Sequence, residues 1–144
     1  MTKPRIVLAD DRAELLETIE ELLRPHVDVV GLAQNGEQAV SAAASLDPDI
    51  LVLDVSMPVL DGFHVASRLR DSGSRAKLIF LSIYQHRDYV EAAFAVGAAG
   101  YVMKSRIASD LLPAIEEVLQ GGKFVSPPSG RSTVTSEGRL DRAG

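Results

Sequence analysis

The stretch that most constrains the fold of this chain covers residues 50–62 and reads ILVLDVSMPVLDG. Its first four residues are all β-branched or leucine, which is typical of a strand buried on both faces of a sheet. The run ends on a carboxylate, Asp54, and Pro58 and the pair Asp61-Gly62 then predict a turn. Because the carboxyl ends of strands in an open parallel sheet face the ligand crevice, Asp54 is expected at that crevice.

The rest of the chain repeats this alternation of a short apolar run and a helical segment. The predicted strands cover residues 5–9, 27–32, 50–53, 77–81 and 101–103. A helix opened by the capping-box pair Asp11 and Glu14 follows the first strand, and the other predicted helices cover 37–46, 63–70, 87–96 and 108–120. Five strand–helix units without hairpin signals predict an α/β fold, and they are too few to close an eight-stranded barrel. We therefore expect a doubly wound (βα)5 fold whose five-stranded parallel sheet has the flavodoxin-like order 2-1-3-4-5.

Length and composition indicate one domain followed by a tail. The 144 residues are enough for a single core. Residues 128–144 are rich in Ser, Gly, Pro and Arg, so we expect a folded domain over 1–127 and a disordered linker or tail over 128–144. The 20 acidic and 15 basic residues argue against a general nucleic-acid or anionic-membrane surface. The N-terminal segment is too short for a signal or a membrane span, and there is no cysteine, so a cytoplasmic protein is expected.

Polar side chains stand at the carboxyl ends of four predicted strands. Asp10 and Asp11 follow the first strand, Asp54 the third, Ser82 the fourth and Lys104 the fifth. If the first and third strands are neighbours, the three carboxylates converge and repel one another unless a cation binds or one takes a proton. Oxygen ligands without His or Cys suit Mg²⁺. With a lysine and a hydroxyl beside them, these groups are the parts needed to accept a phosphoryl group on Asp54.

Each of these residues also has an ordinary explanation when it is taken alone. An Asp at a strand end is more often a helix cap than a ligand, and a Lys after a short strand is usually solvated. Ser82 can simply end a strand, and Tyr101 can be a half-buried core aromatic. The joint occurrence at four strand ends favours the functional interpretation. The first turn, Asp10-Asp11-Arg12, has no glycine motif, which argues against dinucleotide binding.

These residues lie in motifs that resemble a known family. The motifs are Asp10-Asp11 after the first strand, DVSMPVLDG around Asp54, Ser82 after Phe80-Leu81, and GYVMKS from Gly100. Together they resemble a bacterial two-component response regulator receiver (CheY-like) domain over about residues 5–127. The segment from GYVMKS through QGGKFVSP is similar to the NarL/FixJ subfamily in particular.

The resemblance implies roles for the acidic residues. Asp54 is implied as the phosphoacceptor, which takes a phosphoryl group from a sensor histidine kinase in the presence of Mg²⁺. Asp11 is implied as a direct Mg²⁺ ligand, Asp10 as a ligand that acts through water, and the backbone carbonyl of Ser56 as a further ligand. A receiver of this kind is a signalling switch and not an enzyme.

The resemblance also implies a switch at the fourth and fifth strands. Lys104 is implied as the phosphate partner, Ser82 as the switch hydroxyl and Tyr101 as the switch aromatic. The surface formed by the fourth helix, the fifth strand and the fifth helix is expected to change on phosphorylation, with homodimerisation as one outcome. The residue after the switch hydroxyl is generally small in receivers, whereas Ile83 is large enough to restrict access to Asp54.

Members of this subfamily normally continue into a LuxR-type helix-turn-helix domain, and this chain ends at Gly144 without one. We therefore expect a truncated receiver or a natural single-domain regulator, with no direct binding of nucleic acid or membranes. Two other functions stay open. An aspartate phosphatase of the haloacid dehalogenase class uses similar side chains but requires an acid where this chain has Ser56. A constitutive interaction module with a vestigial pocket is the second.

Overall fold

The computed structural model describes residues 2–127, in which strands and helices alternate along the chain. The strands are β1 (Arg5–Ala9), β2 (Asp28–Ala33), β3 (Ile50–Asp54), β4 (Lys77–Ser82), β5 (Gly100–Met103) and β6 (Phe124–Val125). The helices are α1 (Ala13–Leu23), α2 (Gly36–Leu46), α3 (Gly62–Asp71), α4 (Arg87–Ala95) and α5 (Ile107–Leu119), with a 3-10 turn (Lys104–Arg106) before α5. Within this range, no helix has the length and apolar character needed to cross a bilayer. The predicted tail, 128–144, lies outside the described residues.

The strands form one parallel sheet with the order β2-β1-β3-β4-β5-β6. The predicted α/β fold and the predicted order of the first five strands are confirmed. β6 is a sixth strand that was not predicted, because two residues are too few to show the periodicity of a strand. It pairs with β5, where Phe124 lies opposite Gly100 and Val125 lies opposite Tyr101. The order makes β1 and β3 neighbours, so the acidic residues that follow them meet at one edge of the sheet.

Both faces of the sheet are covered, so the central strand β3 is buried along its length. Leu51 and Leu53 belong to a core shared with α2, α3 and α4, whereas Ile50 and Val52 belong to a second core shared with α1 and α5. All four side chains are 0% exposed. Since full burial of such a side chain contributes about 1.5–3 kcal/mol, β3 is a major source of stability. Burial on both faces is also the reason that its apolar run is unbroken.

The start of α1 differs from the expectation. Its N-cap is Arg12, without any side-chain capping hydrogen bond, so the predicted capping box between Asp11 and Glu14 is wrong. The Arg12 amide instead donates to Asp10 Oδ1 at 2.9 Å, which ties the buried carboxylate to the turn. The side chain of Asp11 is exposed beside it. The geometry therefore leaves Asp11 available as a ligand, since it is not used as a cap.

The loop between β3 and α3 contains a strained residue, Val59. Its φ is 74°, and the Leu60 amide donates to the Pro58 carbonyl at 2.8 Å, which makes Val59 the centre of a γ-turn. Such a φ is a genuine outlier for a β-branched residue and costs on the order of 1–3 kcal/mol. The Val59 side chain is 73% exposed, so its burial offsets little of this strain.

Replacing Val59 with glycine is therefore expected to stabilise the protein. Relief of the backbone strain exceeds the conformational entropy that glycine loses on folding, and the net gain in the free energy of unfolding is about 1 kcal/mol. Urea unfolding measures this gain. Val125→Gly is the matched control, because Val125 is also partly exposed but lies in a strand with an ordinary φ, and we expect this variant to be less stable than the wild type. A Val59→Gly protein no more stable than the wild type would show that the turn is not strained.

Candidate functional site

Three carboxylates meet where β1 and β3 end. Asp10 follows β1 and is 0% exposed, and Asp54 is the last residue of β3 and is 3% exposed. Asp11 is exposed at the surface of the same edge. One oxygen from each of these residues lies within 4.8 Å of the others. Two buried carboxylates beside a third require a source of positive charge.

The local backbone holds Asp54 in place. Its Oδ1 accepts a hydrogen bond from the Ser56 amide at 3.0 Å, and the Val55 amide donates to the Leu81 carbonyl at 3.0 Å. The chain then turns back so tightly that a Cβ on Gly62 would lie 2.9 Å from the Asp54 carbonyl oxygen. Glycine at the start of α3 is therefore what allows this helix to begin against the end of β3.

Lys104 supplies positive charge between the buried carboxylates. Its Nζ lies 3.0 Å from Oδ2 of Asp10 and 3.0 Å from Oδ2 of Asp54. It donates an aligned hydrogen bond to the Asp54 oxygen. Asp10 Oδ2 has the ionic contact alone, and it is the one buried side-chain oxygen or nitrogen in residues 2–127 without a hydrogen bond. One lysine therefore serves two acids, and its contact with the buried Asp10 Oδ2 is an ion pair without an aligned hydrogen bond.

The pKa values of these groups follow from this arrangement. Burial raises the pKa of Asp54, and the Ser56 amide and Lys104 offset only part of that effect. Burial also disfavours the charged form of Lys104, but the carboxylates of Asp10 and Asp54 outweigh it and raise the lysine pKa. Lys104 is therefore charged at neutral pH. Three acids therefore face one lysine in this pocket.

These residues fit a divalent cation bound through oxygen. Mg²⁺ prefers carboxylate and carbonyl oxygens and binds through one or two carboxylates with water as the remaining ligands. Asp10 Oδ2, which has no aligned hydrogen bond, and the close approach of oxygens from Asp10, Asp11 and Asp54 provide such donors. The sequence placed all three of these acids correctly at one edge of the sheet.

A second set of polar groups lies at the ends of β4 and β5. Ser82 and Tyr101 are each 1% exposed. They are not opposite each other in the sheet, since Ser82 pairs with Met103 and Tyr101 with Phe80. Tyr84 connects them: its amide donates to Ser82 Oγ at 2.9 Å, and its carbonyl accepts from the Tyr101 hydroxyl. Burial raises the pKa of Tyr101, and interaction with the Ser82 side chain partly opposes this.

An open cleft leads to the acidic edge. It is lined by Asp11, Val55, Ser56, Met57, Pro58, Asp61, Phe63, Tyr84 and Tyr89. The rings of Tyr84 and Tyr89 stack with their centroids 4.4 Å apart. The side chain of Ile83 is 68% exposed, and Tyr84 is the residue that lines the cleft on this side. The effect of Ile83 on access to Asp54 stays a prediction, and among the described residues Ile83 is not one that lines this cleft.

Comparison with protein families decides the identity of this fold and site. The family model described as the response regulator receiver domain matches residues 6–116, well over half of the chain. The chain belongs to this family. The region matched includes the three acids, Ser82 and Lys104. The receiver family is part of two-component signal transduction, as the sequence motifs predicted.

Individual relatives of this receiver are transcriptional regulators. It is 37% identical over 125 residues to the uncharacterized transcriptional regulatory protein YvfU of Bacillus subtilis (strain 168), covering 85% of this chain and 62% of that protein. It is 35% identical over 123 residues to the nitrate/nitrite response regulator protein NarL of Escherichia coli (strain K12), covering 84% of this chain and 57% of that protein. This chain thus spans only 57 to 62% of the length of these relatives. The resemblance to NarL-type receivers is confirmed.

A solved structure gives the same result for the fold. A two-component response regulator of the LuxR family from Aurantimonas sp. SI85-9A1 superposes with a TM-score of 0.82 and 31% identity, covering 88% of this chain and 91% of that one. The receiver fold therefore accounts for nearly all of the described residues.

Sequence reasoning missed the residues of this receiver that connect or border the predicted ones. Tyr84, which bridges Ser82 and Tyr101, acts through its backbone, and no side-chain motif marks that role. Tyr89 lines the cleft through a ring stack that depends on the approach of α4 to the loop after β4. The sequence shows only that Tyr84 and Tyr89 are five residues apart, and this spacing by itself does not predict a ring stack.

Proposed function

We propose that this receiver accepts a phosphoryl group on Asp54 from a sensor histidine kinase, with Mg²⁺, and that this event switches an interaction surface that controls a transcriptional output. The observation that supports it most is the placement of Asp54 Oδ2 3.0 Å from Lys104 Nζ within a cluster of three acids. Incubation with acetyl phosphate and Mg²⁺ tests the proposal by intact mass. One added phosphoryl group supports it, and an unchanged mass contradicts it.

The proposed reaction is a transfer between two covalent partners. A carboxylate oxygen of Asp54 forms a bond to phosphorus, and the bond from phosphorus to the histidine nitrogen of the kinase breaks, with its electron pair leaving on that nitrogen. The ammonium group of Lys104 neutralises negative charge on the phosphoryl oxygens. Asp10, Asp11, Asp54 and the Ser56 carbonyl would hold Mg²⁺, which when bound supplies further charge neutralisation at those oxygens.

Asp11 is expected to provide much of the affinity for Mg²⁺. The Asp11→Ala variant should bind Mg²⁺ roughly tenfold or more weakly, since a charged ligand is lost. It should fold normally, because the Asp11 side chain is exposed and does not cap α1. Isothermal titration calorimetry measures the affinity. Asp28→Ala, which removes an exposed acid at the opposite end of the sheet, is the matched control and should leave it unchanged. Equal Mg²⁺ affinities for wild type and Asp11→Ala would place the metal elsewhere.

The proposed switch uses the groups around Tyr84. A phosphoryl group adds about 1.5 to 2 negative charges and several strong acceptors, enough to draw the Ser82 hydroxyl toward Asp54. The buried position of the Tyr101 ring would then be favoured, because it fills the space beside the sheet. We propose that phosphorylation biases the protein toward this packing and so changes the surface formed by α4, β5 and α5. Dimerisation of the phosphorylated protein through this surface is part of the proposal.

The proposal covers partners and location as well. The protein acts in the cytoplasm, as a signalling switch and not as an enzyme. A turnover assay tests the second point, because a receiver is labelled stoichiometrically, whereas a phosphatase releases phosphate from many esters. Ser56 occupies the position at which the phosphatase class requires an acid.

This chain is expected not to bind duplex DNA by itself. Its net charge of −5 argues against a surface that would release counterions from the phosphate backbone. Electrophoretic mobility at low and high salt checks this expectation. Salt-sensitive retardation of duplex DNA would refute it.

A further inference from the structure

Besides Ser82, two buried polar side chains in the described residues lie outside the acidic cluster. Asp110 on α5 is 6% exposed, and Ser126, which follows β6, is 7% exposed. Ser126 Oγ donates a hydrogen bond to Asp110 Oδ2 at 2.6 Å and accepts one from the Met103 amide at 3.1 Å. Met103 is the last residue of β5 and directly precedes Lys104. The Ser126 hydroxyl therefore connects the segment after β6 to Met103, the residue before Lys104.

The acceptor in this contact is held firmly. Arg106 donates from Nε to Asp110 Oδ2 at 2.8 Å and from a terminal nitrogen to Oδ1 at 3.3 Å. Ser109 Oγ donates to Oδ1 at 2.9 Å. Burial tends to raise the pKa of Asp110, but the hydrogen bonds from Arg106, Ser126 and Ser109 outweigh it and lower the pKa. Asp110 is thus a charged acceptor with both oxygens satisfied.

The backbone of this segment is tied to β5 as well. The Phe124 amide donates to the Ala99 carbonyl at 3.1 Å, and the Ser126 amide donates to the Tyr101 carbonyl at 2.9 Å. Ser126 therefore forms two hydrogen bonds with β5, one through its amide and one through its hydroxyl. Loss of the hydroxyl would leave the Met103 amide at a buried position without its acceptor, and the backbone would have to move to recover one.

We propose that Ser126, acting together with Asp110, is a positioning residue for Lys104. The proposal rests on the function proposed above for Lys104. Ser126 fixes the Val102–Met103 peptide through the Met103 amide, and the long side chain of the next residue, Lys104, reaches 3.0 Å from both carboxylates. A small change at this peptide displaces Nζ far more than it displaces the backbone. By reciprocity, a phosphoryl group held by Lys104 strengthens the attachment of residues 124–126 to β5.

The contact thereby couples residues 124–126 to the phosphoryl site. A partner that lifts residues 124–126 from β5 loosens Lys104, and phosphorylation opposes that detachment. The motif QGGKFVSP, which resembled the NarL/FixJ subfamily without any assigned role, thus acquires one through its serine.

The first test is a mutant cycle on the rate of labelling by acetyl phosphate. Ser126→Ala is expected to slow labelling roughly five- to tenfold, on the scale of one lost hydrogen bond, and Ser126→Thr, which keeps the hydroxyl, is expected to restore most of the rate. In a Lys104→Ala background, Ser126→Ala should have no further effect. Ser45→Ala on α2, across the sheet, is the matched control. An equal slowing with and without Lys104, or no slowing at all, would overturn the proposal.

A second measurement does not depend on phosphorylation. The side-chain NMR signals of Lys104 Nζ and its neighbouring carbon are expected to shift or broaden in Ser126→Ala and to stay unchanged in Ser45→Ala. Unchanged Lys104 signals in folded Ser126→Ala would overturn the positioning role, even if the wild type were not labelled and the proposed function had failed. If Ser126→Ala does not fold, Asp110→Asn, which retains the size of the acceptor but not its charge, takes its place with the same expected results.

Discussion

The Asp54→Asn protein is expected to fold but to accept no phosphoryl group. The amide has nearly the shape of the carboxylate and can still accept the hydrogen bond from the Ser56 amide, but it is not a nucleophile. Intact-mass spectrometry after incubation with acetyl phosphate and Mg²⁺ should show one added group on the wild type and none on the variant. Asp28→Asn, an equal change of charge at the other end of the sheet, should be labelled like the wild type. Labelling that survives Asp54→Asn would move the acceptor to another residue.

The same variant is expected to be more stable than the wild type in the absence of Mg²⁺ at neutral pH. Burial raises the pKa of Asp54 above its ordinary value of 3.8, so the ionised carboxylate disfavours folding. Asparagine removes that charge and also relieves repulsion from Asp10, which contributes to the raised pKa. Urea unfolding in EDTA measures the difference. A variant less stable than the wild type would mean that the pairing of Asp54 with Lys104 outweighs the effect of burial.

Replacing Lys104 with methionine is expected to lower the free energy of unfolding of the metal-free protein by about 2 kcal/mol at neutral pH. The substitution leaves two buried carboxylates without their cation. The expected loss is smaller than that for a fully buried ion pair, because the lysine side chain is 18% exposed. Added Mg²⁺ should restore most of the loss, since a cation that binds only the folded state stabilises it. Lys123→Met, an exposed lysine near the Phe94 ring, is the control and should change stability by no more than about 0.5 kcal/mol.

The deficit of Lys104→Met should also depend on pH. Because the folded-state pKa of Asp54 is raised, its contribution to stability is fully present below 3.8 and is lost as the pH rises through the raised value. Lys104 lowers that pKa, so removal of Lys104 raises the pKa of Asp54 further. The protonated form of Asp54 then favours folding up to a higher pH. The stability difference between wild type and Lys104→Met should therefore shrink as the pH falls from neutral toward 4. A difference that stays constant over this range would indicate lost packing and not lost charge.

The sequence was sufficient for the first five strands and for the polar residues at their carboxyl ends, but not for β6. A strand buried on both faces is an unbroken apolar run, and strands that alternate with helices without hairpin signals indicate a parallel sheet. The order 2-1-3-4-5 was expected because it is common for five strand–helix units. Parallel strands direct their carboxyl ends to one edge, which is why the sequence alone places together Asp10, Asp11, Asp54, Ser82 and Lys104.

Features that depend on contacts between distant residues were decided only by the tertiary structure. Asp10 and Asp11 are adjacent in the sequence, yet only packing buries Asp10 fully beside Lys104 and leaves Asp11 exposed. Tyr84 joins Ser82 to Tyr101 through backbone groups, which carry no residue-specific signal. Ser126 meets Asp110 across 16 positions through a single hydroxyl. Short-range sequence patterns indicate the periodicity of helices and strands. These contacts depend instead on where residues from separate elements lie in the folded protein.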